Sequence, residues 1–335
     1  MSLDAEVAVV GGGVMGLATA RVLARAGRDV VLLEQFTFGH DRGSSHGGSR
    51  IVRLSYPEER WVRLAQESYP GWRELEAELG RTLLDLRGTL DLGDWEPNRD
   101  ALAACGVPYE VVDAAEIERR FPLHAKTGSC GLFQADGGIV FADAALDALR
   151  ESAVDAGVQL RERSRVDELV EDGDSVLLDG MRAGSAVVTV GAWAPALVGV
   201  DATPTRETVS YFDLDEPFPS IIDTTVGVRS GYALASPGAL LKAGLHQSGP
   251  AVDPDEPGEQ DADIADRTAA WVQTRFRGAG NPVSHETCLY TTRVDDEFVL
   301  ERRGRIVVGS ACSGHGFKFA PAIGQRLAAL ATEIL

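Results

Sequence analysis

The sequence predicts an α/β protein (α+β overall) whose Rossmann-like layer is discontinuous along the chain, with a second layer built on a mixed or antiparallel sheet. Three observations predict it. The first thirty-four residues run strand, glycine turn, helix, strand, acid; the stretch 203–292 is rich in short strands and turns; and strand, loop and helix return after residue 305.

Residues 6–10 are a short apolar run suited to a buried parallel strand, ending in Gly11, Gly12 and Gly13. A helix follows, with Met15, Leu17, Ala18, Val22 and Leu23 for its buried side and Gly27 to close it. Residues 30–33 form a second apolar run that ends at Glu34, completing a βαβ unit. Residues 42–53 read as a polar loop of glycine, serine, arginine and histidine. From 58 to 80, Trp61, Leu64, Ala65, Tyr69, Trp72, Leu75 and Leu79 recur at helical spacing, which predicts an amphipathic helix. Residues 89–92 and 109–112 read as strands, 142–157 as a helix, and 158–160 and 186–190 as strands that re-enter the first layer. Seven acids and no base fall between 253 and 266, a run expected to be a solvated surface segment, since Pro254 and Pro257 break the geometry of a calcium loop. A last strand over 305–308 and a loop over 309–319 lead to a helix opened by Pro321.

Composition bounds the possibilities. At roughly 150 residues per domain, 335 residues fit two domains, or one with a large insertion. A formal charge of −19 disfavours nucleic acid as a partner. No run approaches ~18 apolar residues, so no membrane span is expected, and acids where a signal peptide would carry bases argue for a cytoplasmic protein. Four cysteines, Cys105, Cys130, Cys288 and Cys312, with no CxxC spacing suggest neither a metal cluster nor a disulfide scaffold.

The glycine turn carries the first functional signal. Gly11 suits the tight turn, Gly13 leaves room for a pyrophosphate to approach the backbone, and Gly16 lets helix and strand pack. The helix N-terminus at Val14 and Met15 offers unpaired amides to phosphate. Glu34 stands where a carboxylate accepts hydrogen bonds from both ribose hydroxyls, which disfavours a 2′-phosphate. This motif alone leaves FAD and NAD both open.

Four further blocks occur in order: Gly43-Ser44-Ser45-His46-Gly47-Gly48-Ser49-Arg50-Ile51-Val52-Arg53, Leu241-Lys242-Ala243-Gly244-Leu245-His246, Cys288-Leu289-Tyr290-Thr291, and Ser313-Gly314-His315-Gly316-Phe317-Lys318-Phe319. With the glycine turn they closely resemble the monomeric sarcosine oxidase family, which includes N-methyltryptophan oxidase and sits among the glycine/D-amino-acid oxidase flavoproteins. The resemblance runs essentially the whole length. It implies an FAD-binding domain from residues 1–86, 137–203 and 293–335 and a catalytic domain from 87–136 and 204–292. It also implies a monomer that oxidises a secondary amino acid with O2, without nucleic acid, membrane or metal.

The resemblance assigns roles residue by residue. Cys288 matches the cysteine that carries FAD through an 8α thioether, which calls for basic side chains nearby; a buried structural cysteine is the alternative, and Cys312 is the rival site. Arg53 and Lys318 match the pair that holds the substrate carboxylate. His46 and Arg50 match residues beside the flavin ring, His246 one near the substrate amine, and Tyr232 a substrate-site tyrosine. Lys242 matches the lysine of the oxygen-activation site, set among apolar Leu240, Leu241 and Ala243. Gly43, Ser44, Gly191, Trp193, Tyr290, Gly314, His315, Gly316 and Phe317 match further cofactor contacts.

The expected reaction oxidises sarcosine or a close N-alkyl amino acid to an imine, then to glycine and formaldehyde, with H2O2. A larger amine such as N-methyltryptophan, pipecolate or a glycated amino acid, a flavoprotein that only carries electrons, and an NAD-dependent dehydrogenase are the competing readings.

Overall fold

The computed structural model describes residues 3–227 and 229–334. In the first sheet, strands Gln159–Arg161, Val30–Leu33, Ala5–Val10 and Met181–Val188 lie side by side and parallel. The outer edge of Met181–Val188 is shared: its beginning pairs with Ser175–Leu178 and its end with Ile306–Ser310. That last strand brings residues after 305 back beside the N-terminal βαβ unit, as the sequence predicts.

Both faces of this sheet are covered, which is why its strands read as unbroken apolar runs. Val7 and Val9 enter one core with helices Val14–Arg25, Glu59–Leu79, Ala142–Asp155 and Ala320–Thr332, whereas Ala8 and Val10 enter another. The helices Val14–Arg25 and Ala320–Thr332 cross closely because a side chain at Gly324 would stand 2.9 Å from Ala18.

The second sheet has eight strands in the order Ser284–Thr292, Thr203–Asp213, Leu240–Leu245, Gly231–Ser236, Ser220–Asp223, Thr89–Leu92, Cys130–Gln134 and Glu110–Asp113. Ser220–Asp223 and Thr89–Leu92 pair in parallel; the other neighbours are antiparallel. The sheet is therefore mixed. Its register decides what faces the site. Tyr211 pairs with Lys242 on one side and Ser284 on the other, so Lys242, Gly244, Glu286, Cys288 and Tyr290 lie on one face. Leu241 and Ala243 point to the opposite face, where they meet Trp271, Val272 and Phe276. Leu241 and Ala243, beside Lys242 in sequence, are thus not its neighbours in space, whereas Leu240 shares its face.

Some local expectations need correction. The loop over 42–53 contains a strand, Arg50–Val52, paired with Gly138–Val140 in a small third sheet. Helices Glu96–Ala104, Ala114–Arg120 and Ala262–Arg275 stand where strands and turns were expected. Two of them begin at aspartate caps: Asp113 accepts from the Glu116 amide and Asp261 from the Ile264 amide. The acid run is exposed as expected, apart from half-buried Asp261, and two of its members have local roles. Asp261 caps a helix, and Asp255 binds Arg165 at 2.8 Å and the Trp193 indole at 2.8 Å. Among the described residues, no helix is long and apolar enough to cross a membrane.

Candidate active site

The glycine turn closes as its spacing requires. Gly11 has φ +99°, and a Cβ there would meet the Thr189 carbonyl at 2.6 Å; a Cβ at Gly16 would strike the Gly11 carbonyl at 1.8 Å. Gly13 is different, for a Cβ there would reach only Ser45 Oγ at 3.1 Å. Its bareness leaves the helix N-terminus open to a ligand. The Ser45 hydroxyl accepts from the Val14 amide at 3.1 Å and is a site residue that the glycine pattern alone does not flag.

Two cavities of about 340 and 390 Å³ adjoin here and share Gly13, Ser44, Ser45, Thr189 and Gly191. The first also takes in Gly11, Glu34, Gly43, His46 and Trp193. Glu34 is buried; one oxygen accepts from the Gly12 amide and the other from the Phe36 amide, both at 2.8 Å. Its carboxylate is thus oriented by the loop it faces. An elongated cleft with bare glycines, a helix N-terminus and an oriented carboxylate at one end fits a dinucleotide such as FAD.

The second cavity lies between the two large sheets. Val14 and Met15 edge it from the helix, Arg50 from the small sheet with Arg53 just past its strand, and Tyr232, Lys242, Cys288 and Tyr290 from the second sheet with His246 just past its strand. Gly314, His315, Gly316, Phe317 and Lys318 close it from the loop before the last helix. Gly314, at φ +76°, lets that loop pass under two rings, since a Cβ would come 2.4 Å from Tyr290 and 2.6 Å from His246. Of the residues matched to the catalytic role, His46 alone does not line this cavity. It faces the first one and a third of about 410 Å³. Cys312, the rival to Cys288, also lines the second cavity, and its Sγ accepts from the Thr291 amide at 3.3 Å.

Charge in the second cavity is arranged in two clusters. Lys318 is 5% exposed, donates to the His315 carbonyl at 2.6 Å, and has no carboxylate within 4.0 Å among the described residues. Burial, then the neighbouring Arg53, pushes its pKa well below the usual lysine range. Arg53 stacks over Tyr56 at 4.4 Å and reaches Asp91 at 3.4 Å. Asp91 is itself held by Ser55 and, at 2.9 Å, by Asn98.

The other cluster is Lys242 and Arg50, with Glu286 behind them on the wall of the third cavity. Burial, then Arg50, pulls Lys242 down to about 8, and Glu286 opposes them. Cys288 sits half-buried, opening into the cavity; burial raises its thiol pKa, while Arg50 and Lys242 act the other way. Basic side chains do therefore flank it. Burial lowers His246 to about 4, so its ring is neutral at pH 7, and raises the Tyr232 and Tyr290 phenols.

A family model described as FAD dependent oxidoreductase (DAO) matches residues 6–330. The chain belongs to this family. A probable sarcosine oxidase of Arabidopsis thaliana is 32% identical, with 98% of this chain and 88% of the relative covered. The peroxisomal sarcosine oxidase of Mus musculus is 32% identical over 98% and 92%, and the monomeric sarcosine oxidase of Bacillus sp. (strain B-0618) is 29% identical over 99% and 93%. Among solved structures, NikD, an unusual amino acid oxidase essential for nikkomycin biosynthesis, superposes with a TM-score of 0.89 at 29% identity, covering 99% of this chain and 95% of that one. This FAD-dependent oxidoreductase is thus a sarcosine-oxidase-like member of the family, an amine oxidoreductase with the fold of these oxidases.

Proposed function

We propose that this FAD-dependent amine oxidoreductase acts as a monomer and oxidises sarcosine, or a close N-alkyl amino acid, with O2. The products are an imine, which hydrolyses to glycine and formaldehyde when the substrate is sarcosine, and H2O2. The observation that carries the substrate class is the pair of partly buried Arg53 and buried Lys318 on one cavity wall, with Asp91 the one carboxylate within 4.0 Å of either among the described residues. A small amino acid has little apolar surface, so its orientation comes from charge-assisted hydrogen bonds to its carboxylate. Lys318 has two N–H groups left after its bond to His315, and Arg53 offers its fork.

FAD supplies the two-electron acceptor for the C–N oxidation and the route of those electrons to O2. Glu34, Gly11, Gly13, the Met15 amide and Ser45, whose hydroxyl takes the Val14 amide, would hold its nucleotide part, with Ser44, Gly191 and Trp193 beside them. Cys288 would carry the covalent thioether. A neutral His246 offers an acceptor nitrogen to the ammonium proton that a secondary amine loses before oxidation. Lys242 offers a preformed positive charge where negative charge develops on oxygen. The ring cluster of Tyr56, Trp61, Phe298, His315 and Phe319 stands against one wall of the cavity and limits water there. The separation of strands between the two large sheets supports the division into an FAD-binding and a catalytic domain.

The test is a peroxide assay with purified protein over sarcosine, N-methyltryptophan, pipecolate and a glycated amino acid. Peroxide that scales with sarcosine supports the proposal; a yellow protein that forms none with any amine makes it a dehydrogenase or electron carrier.

A further inference from the structure

The chain carries 32 basic side chains, yet only Lys126, Lys242 and Lys318 are lysine. Lys126 is exposed on the surface and the other two are buried in the cavity. Lys318 has a substrate carboxylate to complete it. Lys242 has nothing of the kind, and its surroundings show what does the same for it.

Two residues before Cys288, on the same face of strand Ser284–Thr292, stands Glu286. Its Oε1 accepts from His46 Nδ1 at 2.8 Å, its Oε2 accepts the Tyr211 hydroxyl proton, and Oε2 lies 3.7 Å from Lys242 Nζ. No other carboxylate comes within 4.0 Å of Lys242 among the described residues. Arg50 cannot serve, because it has the same sign; its guanidinium donates to the carbonyls of Ser44, His46 and Ser49. The three charged groups converge on one point of the backbone. A methyl group at Gly47 would lie 3.1 Å from Glu286 Oε1 and 3.3 Å from both Arg50 Nη1 and Lys242 Nζ. Glu286 therefore puts a negative charge where two cations converge. Behind it, Glu286 and His46 line the third cavity of about 410 Å³ with Asp41, Asp143 and Asp147, and His46 Nε2 is buried there without a protein partner.

We propose that Glu286 is a positioning residue for oxygen chemistry: fixed by His46 and Tyr211, it holds Lys242 in place and keeps it charged. The inference rests on the reading of Lys242 given above. The remaining groups that face Lys242 do not substitute for Glu286. Cys288 is a thiol on the same strand, Asp143 is bound to the Gly47 amide at 2.7 Å, Tyr211 presents its ring 5.5 Å from Nζ, and strand Gly231–Ser236 brings Leu234 beside it. Removing the Glu286 charge leaves burial and Arg50, both of which drive the proton off Lys242.

The scarcity of lysine makes the test direct. Holoenzyme labelled with ¹³C-lysine should give three side-chain signals, and Lys242→Met identifies one of them. In the wild type that signal should titrate near pH 8. In Glu286→Gln its midpoint should fall by ~1–3 pH, the size of effect a single close charge has on a partner. Glu286→Asp, which keeps the charge but withdraws it, should fall between the two and covers the case in which the glutamine variant does not fold. The signal of Lys318 should not move in either variant. The alkaline loss of the reaction with O2 should shift down in pH with the Lys242 midpoint. An unchanged Lys242 midpoint in either variant overturns the proposal. If the midpoint moves but Lys242→Met reacts with O2 like the wild type, Glu286 still positions Lys242 and the oxidase role of Lys242 is what fails.

Discussion

Replacing Lys318 with methionine should have two effects of opposite sign. Lys318 is buried, with one donor committed to the His315 carbonyl and Arg53 as its nearest charge. Burial and Arg53 both disfavour its proton, so in the ligand-free protein the ammonium is a liability. Exchanging buried charged groups for apolar ones of similar volume stabilises by ~1–4 kcal/mol in other proteins. At roughly 2–4 °C per kcal/mol, the melting temperature of Lys318→Met should rise by several degrees. Carboxylate binding should move the other way. Losing one charge-assisted contact is worth ~1.5–3 kcal/mol, or about ten- to a hundredfold in Kd. Proton linkage supplies an independent check. A bound carboxylate raises the Lys318 pKa above its free-state value, so binding takes up protons and strengthens as pH falls from the bound-state value to the free-state one. Calorimetry with a small carboxylate that lacks an amine, run in two buffers of different ionisation heat, counts those protons. The wild type should take them up and Lys318→Met should not. A variant that melts lower than the wild type and binds the carboxylate equally well would refute this account and place the carboxylate elsewhere.

Covalent attachment is the next expectation: acid-precipitated protein should stay yellow, and a peptide containing Cys288 should carry the flavin mass. Colour that washes out of the denatured wild type would sink the idea, and colour retained by Cys288→Ser would move the link, with Cys312 the first candidate. In Lys242→Met, anaerobic reduction by the amine should change little while the reaction with O2 slows by roughly two to three decades, the ~3–4 kcal/mol typical of one preorganised charge. In the wild type the same reaction should fall off above about pH 8, where Lys242 loses its proton; equal losses in both half-reactions would make Lys242 a substrate residue. Glu286 also predicts an acid limb in stability. Burial alone would raise its pKa, but the His46 hydrogen bond and the Lys242 charge outweigh it and bring the carboxyl from 4.5 to about 2. Its folded pKa is below its unfolded one, so its contribution, roughly 3 kcal/mol, is full above pH 4.5 and lost as pH falls to about 2. Denaturation curves of wild type and Glu286→Gln should converge near pH 2 and separate above 4.5; curves that stay parallel would contradict it.

How far the site could be read from sequence depends on how local each signal is. The turn at Gly11, Gly13 and Gly16 with Glu34 is written within one βαβ unit, where backbone sterics fix the spacing, so it could be read directly. Glu286 and Asp91 could not. Each matters through a partner brought near by sheet register, Lys242 in one case and Arg53 in the other, and no pattern along the chain reports register. A weaker signal was present: Glu286, Cys288 and Tyr290 alternate along a strand and so share a face, as Lys242 and Gly244 do. That alternation also corrects why Lys242 is unusual, since Leu241 and Ala243 turn away to the helix side. The helices at Glu96–Ala104, Ala114–Arg120 and Ala262–Arg275 were missed for another reason. The first two are short, and the third begins within the acid run, whose charge hides the apolar stripe of Ile264, Thr268, Trp271 and Val272.

The near-absence of lysine has a chemical consequence outside the cavity. Aldehydes condense with primary amines, and apart from the chain's own terminal amine Lys126 is the one lysine side chain exposed to solvent. If sarcosine is the substrate, as proposed, formaldehyde leaving the site would find an exterior clothed in guanidinium groups and carboxylates, with almost nothing on which to build a Schiff base. The same scarcity means that amine-directed cross-linkers would attach at Lys126, four residues before strand Cys130–Gln134, or at the terminal amine, rather than at random over its surface.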